Sequence, residues 1–314
     1  MMIKKLPIPI SGLMLACAAA GNLVGSYGSL YKNLFGIIAT IIMIKLLIKA
    51  ITMPNSIKEG FDNPVVASVI PTFSMGVMLL STYIKPYASS AAYFIWLAGL
   101  ILHCLLIILF TIKYIANFNI KKVFPSYFIV YVGIVCASVT APAFGITQLG
   151  QYIFWFGLVT YIILLPVVIY RVLSIKEIPE PAMPTLAIFT APASLCLAGY
   201  LNSFQSKNTA MVGFLAILAL LMFIAVMATM PKLLKLKFYP SYSAFTFPFV
   251  ITATAMKGTN AYFMNIGSGI PVLKYLVPIL EIWAIIMVIY VLIRYMIFMF
   301  SNTEASKGTP AVKA

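Results

Sequence analysis

The sequence predicts an all-α integral membrane protein of ten transmembrane helices, arranged as five helical hairpins in a pseudo-fivefold ring. Three observations predict it. Of 314 residues, 63% are hydrophobic and 9% charged. Apolar runs of about 20 residues recur along the chain, the length a helix needs to cross a hydrocarbon core about 30 Å thick. Every second run opens at a proline, at Pro7, Pro64, Pro125, Pro184 and Pro240.

Taken in order, the spans cover roughly 7–25, 33–53, 64–84, 90–113, 124–143, 150–172, 184–203, 209–231, 239–257 and 274–299. Lys4 and Lys5 before the first run mimic a secretory signal, but Pro7 and Pro9 open it and nine further spans follow, so an ordinary membrane helix is expected. The opening prolines lie 57, 61, 59 and 56 residues apart and suit a first helical turn, where no N–H partner is needed. The unit is therefore a hairpin of about 60 residues, repeated five times. Pro71, Pro192 and Pro248, near the middle of their spans, are expected to kink them. Residues 1–300 form one transmembrane domain, and the polar tail SNTEASKGTPAVKA, 301–314, is expected to be disordered and cytoplasmic.

The two helices of a hairpin differ in composition. Over 19 residues from each opening proline, the odd spans hold 39 Gly, Ala, Ser or Thr in 95 positions, against 17 in 95 for the even spans. Lipid tails suit bulky side chains, whereas small and hydroxyl residues belong where helices pack closely or line a cavity. The odd spans are expected inside around a central pore, and the even spans outside against lipid. Sixteen of the 21 Lys and Arg fall on the face that carries the odd helices' N-termini, so both chain termini are expected in the cytoplasm, at the plasma (inner) membrane. Lys45, Lys49 and Arg294 are expected to snorkel to that interface.

Other classes find little support. The formal charge of +15 serves topology, because there is hardly any soluble part to bind nucleic acid. Four cysteines lie inside apolar runs without metal-ligand or disulfide spacing, and no catalytic motif or cofactor signature is present. No enzyme, no cofactor and no metal are expected.

Three segments carry a resemblance: PISGLMLACAAAGNL in the first span, FPSYFIVYVGIVCASVTAP in the fifth and SAFTFPFVITATAMK in the ninth. With ten spans in five hairpins, the chain resembles the tellurite-resistance/dicarboxylate transporter family, which includes the plant guard-cell slow anion channels. The resemblance implies an anion channel or carrier, commonly a homotrimer with one pore per subunit, and a pore plugged by a phenylalanine of the ninth helix, here Phe247. It implies substrates from chloride, nitrate and sulfite to malate and tellurite, with nothing in the sequence to choose among them.

Placement along the helix agrees with that role. Phe247 lies seven residues beyond Pro240, about 10 Å along a helix rising about 1.5 Å per residue. Ser243, Val250 or Ile251, and Thr254 share its face, while Phe245 and Phe249 point into packing. Level positions on the other odd helices are Met14, Ile70 or Pro71, Val132 or Gly133, and Ala191. No Arg, Lys, Asp or Glu sits in the middle of an odd span, where a carrier that holds a dicarboxylate tightly would offer fixed cations or half-helix ends, so weak binding and channel-like conduction of small anions are expected. Lys257 is placed at the external mouth. His103 and Glu281, with Lys274 as the acid's nearest partner in sequence and Lys257 left open as a competitor, are the groups through which a proton-coupled C4-dicarboxylate carrier could work. Sulfite or tellurite efflux is a further reading of the same pore.

Overall fold

The computed structural model describes residues 2–301, so all of the expected tail beyond Ser301 lies outside the described residues. Among those residues the chain is helical throughout, with no strands. After a short turn at Met2–Lys5 come α1 (Ile10–Val24), α2 (Ser29–Thr52) and a connecting helix α3 (Pro54–Asp62). Then follow α4 (Pro64–Val69), α5 (Thr72–Ile84), α6 (Ser89–Phe110), α7 (Tyr127–Tyr131), α8 (Val135–Thr140) and α9 (Thr147–Tyr170). The chain closes with α10 (Ala191–Ser203), α11 (Thr209–Leu233), α12 (Phe247–Asn265) and α13 (Pro271–Phe300). Elongated 3-10 segments, Glu180–Thr190 and Pro240–Phe245, lead into α10 and α12.

Eight segments are long and apolar enough to cross a membrane. The chain is a multi-pass membrane protein. The fifth predicted span is in pieces, α7, α8 and the 3-10 turn Ala141–Phe144, because Gly133 folds the chain back so closely that a Cβ there would lie 2.1 Å from the Ile129 carbonyl. The ninth is divided at Thr246 and carries Lys257, Gly258 and Asn260, which dilute its apolar character.

Burial divides the segments into two sets. Ile10–Tyr27, Pro64–Ile84 and Glu180–Ser203 are 72%, 67% and 83% buried, whereas α2, α6, α9, α11 and α13 are 28–39% buried in their most apolar stretches. The exposed flanks of the second set are Leu, Ile, Phe and Tyr, among them Ile37, Phe94, Ile163, Ile224 and Ile286. Each inner segment packs on the next: α1 on α5, α5 on α8, α8 on α10, α10 on α12, and α12 back on α1. Each outer helix leans on the inner pair beside it, as α13 does on α12 and α1.

Hydroxyls stitch this circuit together. Thr72 donates to Ser11 at 2.7 Å, Ser68 to Ser126 at 2.6 Å, and Ser203 to the Ser138 carbonyl at 2.5 Å; Ser194 and Thr252 share a bond of 2.9 Å. These partners are 58–65 residues apart, one hairpin period. Much of the small, hydroxyl-rich character of the inner segments therefore serves close helix contact. Interhelical bonds of this kind average about 0.6 kcal/mol in a membrane, up to about 1.7. Ser194→Ala is expected to cost that amount, read as a lower midpoint in a denaturation series in mixed micelles.

Candidate functional site

Breaks in the inner segments define the site. At Thr246 the backbone leaves helical geometry (φ −115°, ψ −84°), and α12 restarts with Phe247 as its first residue and Pro248 as its second. Proline at this position has no N–H to orphan and a pre-set φ, so the sequence F-P fixes where the helix begins. Pro71 precedes α5 and Pro192 is second in α10, and the same reasoning sets those starts. Ile10, Thr72, Ala191 and Phe247 consequently begin α segments at one level, so half-helix ends occur there. Their N–H groups are largely taken by 3-10 bonds, such as Gly12 to the Pro9 carbonyl and Phe249 to the Thr246 carbonyl.

At that level lies a cavity of about 40 Å³ bordered by all five inner segments. Gly12 comes from the first, Val69, Thr72 and Met75 from the second, and Phe128, Ile129, Val132 and Gly133 from the third. Ile188, Ala191, Pro192 and Leu195 belong to the fourth, and Ser243, Ala244, Phe247 and Pro248 to the fifth. A water needs about 10–15 Å³ of such space, so the cavity holds about three. Phe247, 6% exposed, forms one of its walls. Phe249 instead packs edge-on against Phe223 and Trp283, and Phe245 packs against Tyr242.

Of the pore positions singled out in the sequence, Val132, Gly133, Ala191, Ser243 and Phe247 border this cavity together, as do the kink prolines Pro192 and Pro248. Met14 does not; its terminal methyl fills the space where Gly76 has no side chain, and Gly12, two residues closer to the N-terminus and 3.0 Å from Ser243 at its Cβ position, stands in the wall. Ile70 falls at the break between α4 and α5, and Val250 is fully buried in packing. Thr254 is half-buried in an otherwise buried stretch of α12, one turn before Lys257. Phe128, buried and packed edge-on against Phe189 and Tyr161, is a second aromatic wall that sequence reasoning missed. Its position two residues after Ser126 in a hairpin-start motif was the available signal.

One turn toward the N-termini of the inner segments is a second cavity, of about 380 Å³. Its walls are the segment starts themselves, including Pro7, Pro9, Pro64, Val66, Pro240 and Ser241. Since Ser241 borders this one and Ser243 the other, the two are stacked along the inner segments.

The ionisable candidates lie away from the 40 Å³ cavity. Burial of His103 is complete; its Nδ1 meets Ser74 Oγ at 2.8 Å and its Nε2 the Val130 carbonyl at 3.1 Å, joining α6 to α5 and α7. Glu281 is 5% exposed and its partner is Lys257, not Lys274. Lys257 Nζ donates to Glu281 Oε1 at 2.7 Å, to Ser26 Oγ at 2.8 Å and to the Leu23 carbonyl at 3.2 Å, and Tyr27 Oη donates to Glu281 Oε2 at 2.6 Å. Because α12 runs on to Asn265, Lys257 sits two turns before its end and clasps α12 to α13 and to the turn after α1.

The family described as voltage-dependent anion channel matches residues 33–296 of the chain. No curated protein matches it.

Proposed function

Because the chain belongs to the voltage-dependent anion channel family, we propose that it is a ten-span, pseudo-fivefold anion channel whose central pore is shut by the Phe247 ring. The observation that carries this is the small cavity bordered by all five inner segments and walled by Phe247. Swinging the ring to another rotamer joins the 380 Å³ cavity on one side to the Thr254 level on the other. An ion meeting a phenyl ring must shed water with no polar replacement, so the ring is a barrier in its closed position. In this reading both termini are cytoplasmic in the plasma membrane, and three copies associate with one pore each.

The pore wall offers Ser243 and Thr72 hydroxyls and four helix starts, but no fixed charge at the constriction. Such a wall binds anions weakly and releases them fast, and selects by ease of dehydration. A reversal-potential series is expected to give nitrate ahead of chloride, and both ahead of sulfite and malate. A series led by malate would contradict the channel reading.

The half-helix ends favour a second reading, a carrier for a C4-dicarboxylate, because helix starts at midplane are how carriers hold anionic groups. Proton coupling, however, has no group in the pore: His103 bonds Ser74 and Val130, and Glu281 is held by Lys257. Malate uptake into proteoliposomes is expected to be insensitive to an imposed pH gradient, and His103→Ala is expected to lower stability by about 1–3 kcal/mol, the cost of leaving its buried partners unpaired, without altering pH dependence. Saturable, pH-driven uptake abolished by that variant would establish the carrier.

A further inference from the structure

We propose that the 380 Å³ cavity on the N-terminal face is an anion-capture site built around Lys49. The proposal rests on the anion-conducting reading and adds to it a fixed charge, a place and a class of ligand.

Sequence reasoning sends Lys49 to the interface as a snorkelling side chain, and the structure corrects this. Lys49 is 4% exposed, turns inward from α2 and borders the cavity. Its ammonium donates to the Leu6 carbonyl at 2.6 Å and reaches the Lys4 carbonyl at 3.5 Å. An ammonium has three N–H donors, so one remains for whatever occupies the cavity. Among the described residues no carboxylate pairs with it. The acids nearest in sequence are engaged elsewhere: Asp62 bonds Lys113, and Glu59 borders a separate open groove beside that pair.

A buried charge without a counter-charge is costly, and the requirement is met most simply by a mobile ion of opposite sign. The cavity has the room. At about 10–15 Å³ per water, 380 Å³ takes a small anion with much of its hydration shell. Neutral donors surround it as well: Asn63 keeps its Oδ1 on the Val65 and Val66 N–H groups, leaving the amide NH2. Arg171, 1% exposed, lies 5.8 Å from the Phe124 ring that forms part of the wall, with its guanidinium donating to the Lys121 and Glu177 carbonyls. Lys49 is the only wall residue contributed by an outer helix; the rest are inner-segment starts and their connections. A diffusible anion on its way to the constriction fits this position better than a lipid headgroup, which would approach from the outer helices.

The test is binding to the purified full-length protein in detergent, which needs no conduction and so stands apart from the Phe247 gate. Thermal unfolding is followed at constant ionic strength while sodium nitrate, sodium chloride or sodium malate replaces a bulky organic anion salt. Saturable stabilisation is expected. Loss of a charged hydrogen bond in Lys49→Met is expected to raise the half-saturating concentration by about tenfold or more, while Lys49→Arg retains it. Ser56→Asp places a carboxylate in the same cavity and is expected to remove the response even where Lys49→Met folds poorly. Anion dependence that never saturates, or that is identical in the wild type, Lys49→Met and Ser56→Asp, overturns the proposal. A response obtained only with anionic-lipid micelles, and not with the salts, overturns it in favour of a headgroup.

Discussion

Phe247→Ala raises anion current across an oocyte or planar bilayer membrane by about tenfold or more, since each ~1.4 kcal/mol removed from a barrier is worth a factor of ten. The ring is one wall of a space that holds only about three waters, and removing it is expected to join that space to its surroundings. Phe249→Ala serves as the comparison, because that ring packs against Phe223 and Trp283 away from the cavity. It is expected to destabilise by about 3–5 kcal/mol, the usual cost of truncating a buried phenylalanine, and to leave current per folded channel unchanged. Equal currents from the two variants would remove Phe247 from its role. Phe247→Leu keeps bulk without an aromatic face and is expected to fall between the alanine variant and the wild type.

Glu281→Gln is expected to cost about 3–5 kcal/mol of stability, the usual penalty for breaking a buried ion pair from one side. Glu281 is nearly enclosed, and the change leaves Lys257 with Ser26 and the Leu23 carbonyl but no counter-charge. Lys257 retains a third of its exposure, so water screens part of the loss and the lower end of that range applies. The double variant Lys257→Met, Glu281→Leu replaces the pair with apolar groups of similar size and is expected to recover most of the stability. Recovery separates an uncompensated charge from a simple packing defect. Should the single variant unfold with wild-type midpoint, the clasp between α12, α13 and the turn after α1 carries no load.

Much of the architecture could be read in the residues because it follows from composition and period. The opening prolines at Pro7, Pro64, Pro125, Pro184 and Pro240 recur once per hairpin, and side-chain size separates segments that touch lipid from those that touch each other. Local breaks were less legible. Proline marks a kink, but whether the chain before it becomes 3-10, as at Pro240–Phe245, depends on bonds such as Ser241 to the Pro181 carbonyl, made 60 residues away. The level of Ala191, Gly133 and Ser243 beside Phe247 followed from register alone. Met14 could not be placed that way, since the vacancy it fills is created by Gly76 on a neighbouring helix.

Charged groups were the hardest to place. A lysine near a helix end reads as snorkelling, and only the fold reveals that Lys49 meets the Leu6 carbonyl and a cavity between the inner-segment starts instead. For Glu281, spacing along one helix suggests Lys274, yet the partner comes from α12, 24 residues back. Helical periodicity reports neighbours on the same helix and is silent about those across an interface.

The central claim is that the inner segments surround one passage closed by Phe247, and cysteine accessibility tests it most directly. With exposed Cys104 first replaced by serine, Ser243→Cys is challenged by a membrane-impermeant anionic thiol reagent from each side of the membrane. Reaction is expected from the N-terminal face alone while Phe247 is intact, and from both faces in the Phe247→Ala background. Reaction from both faces with Phe247 present, or from neither face without it, would contradict the account.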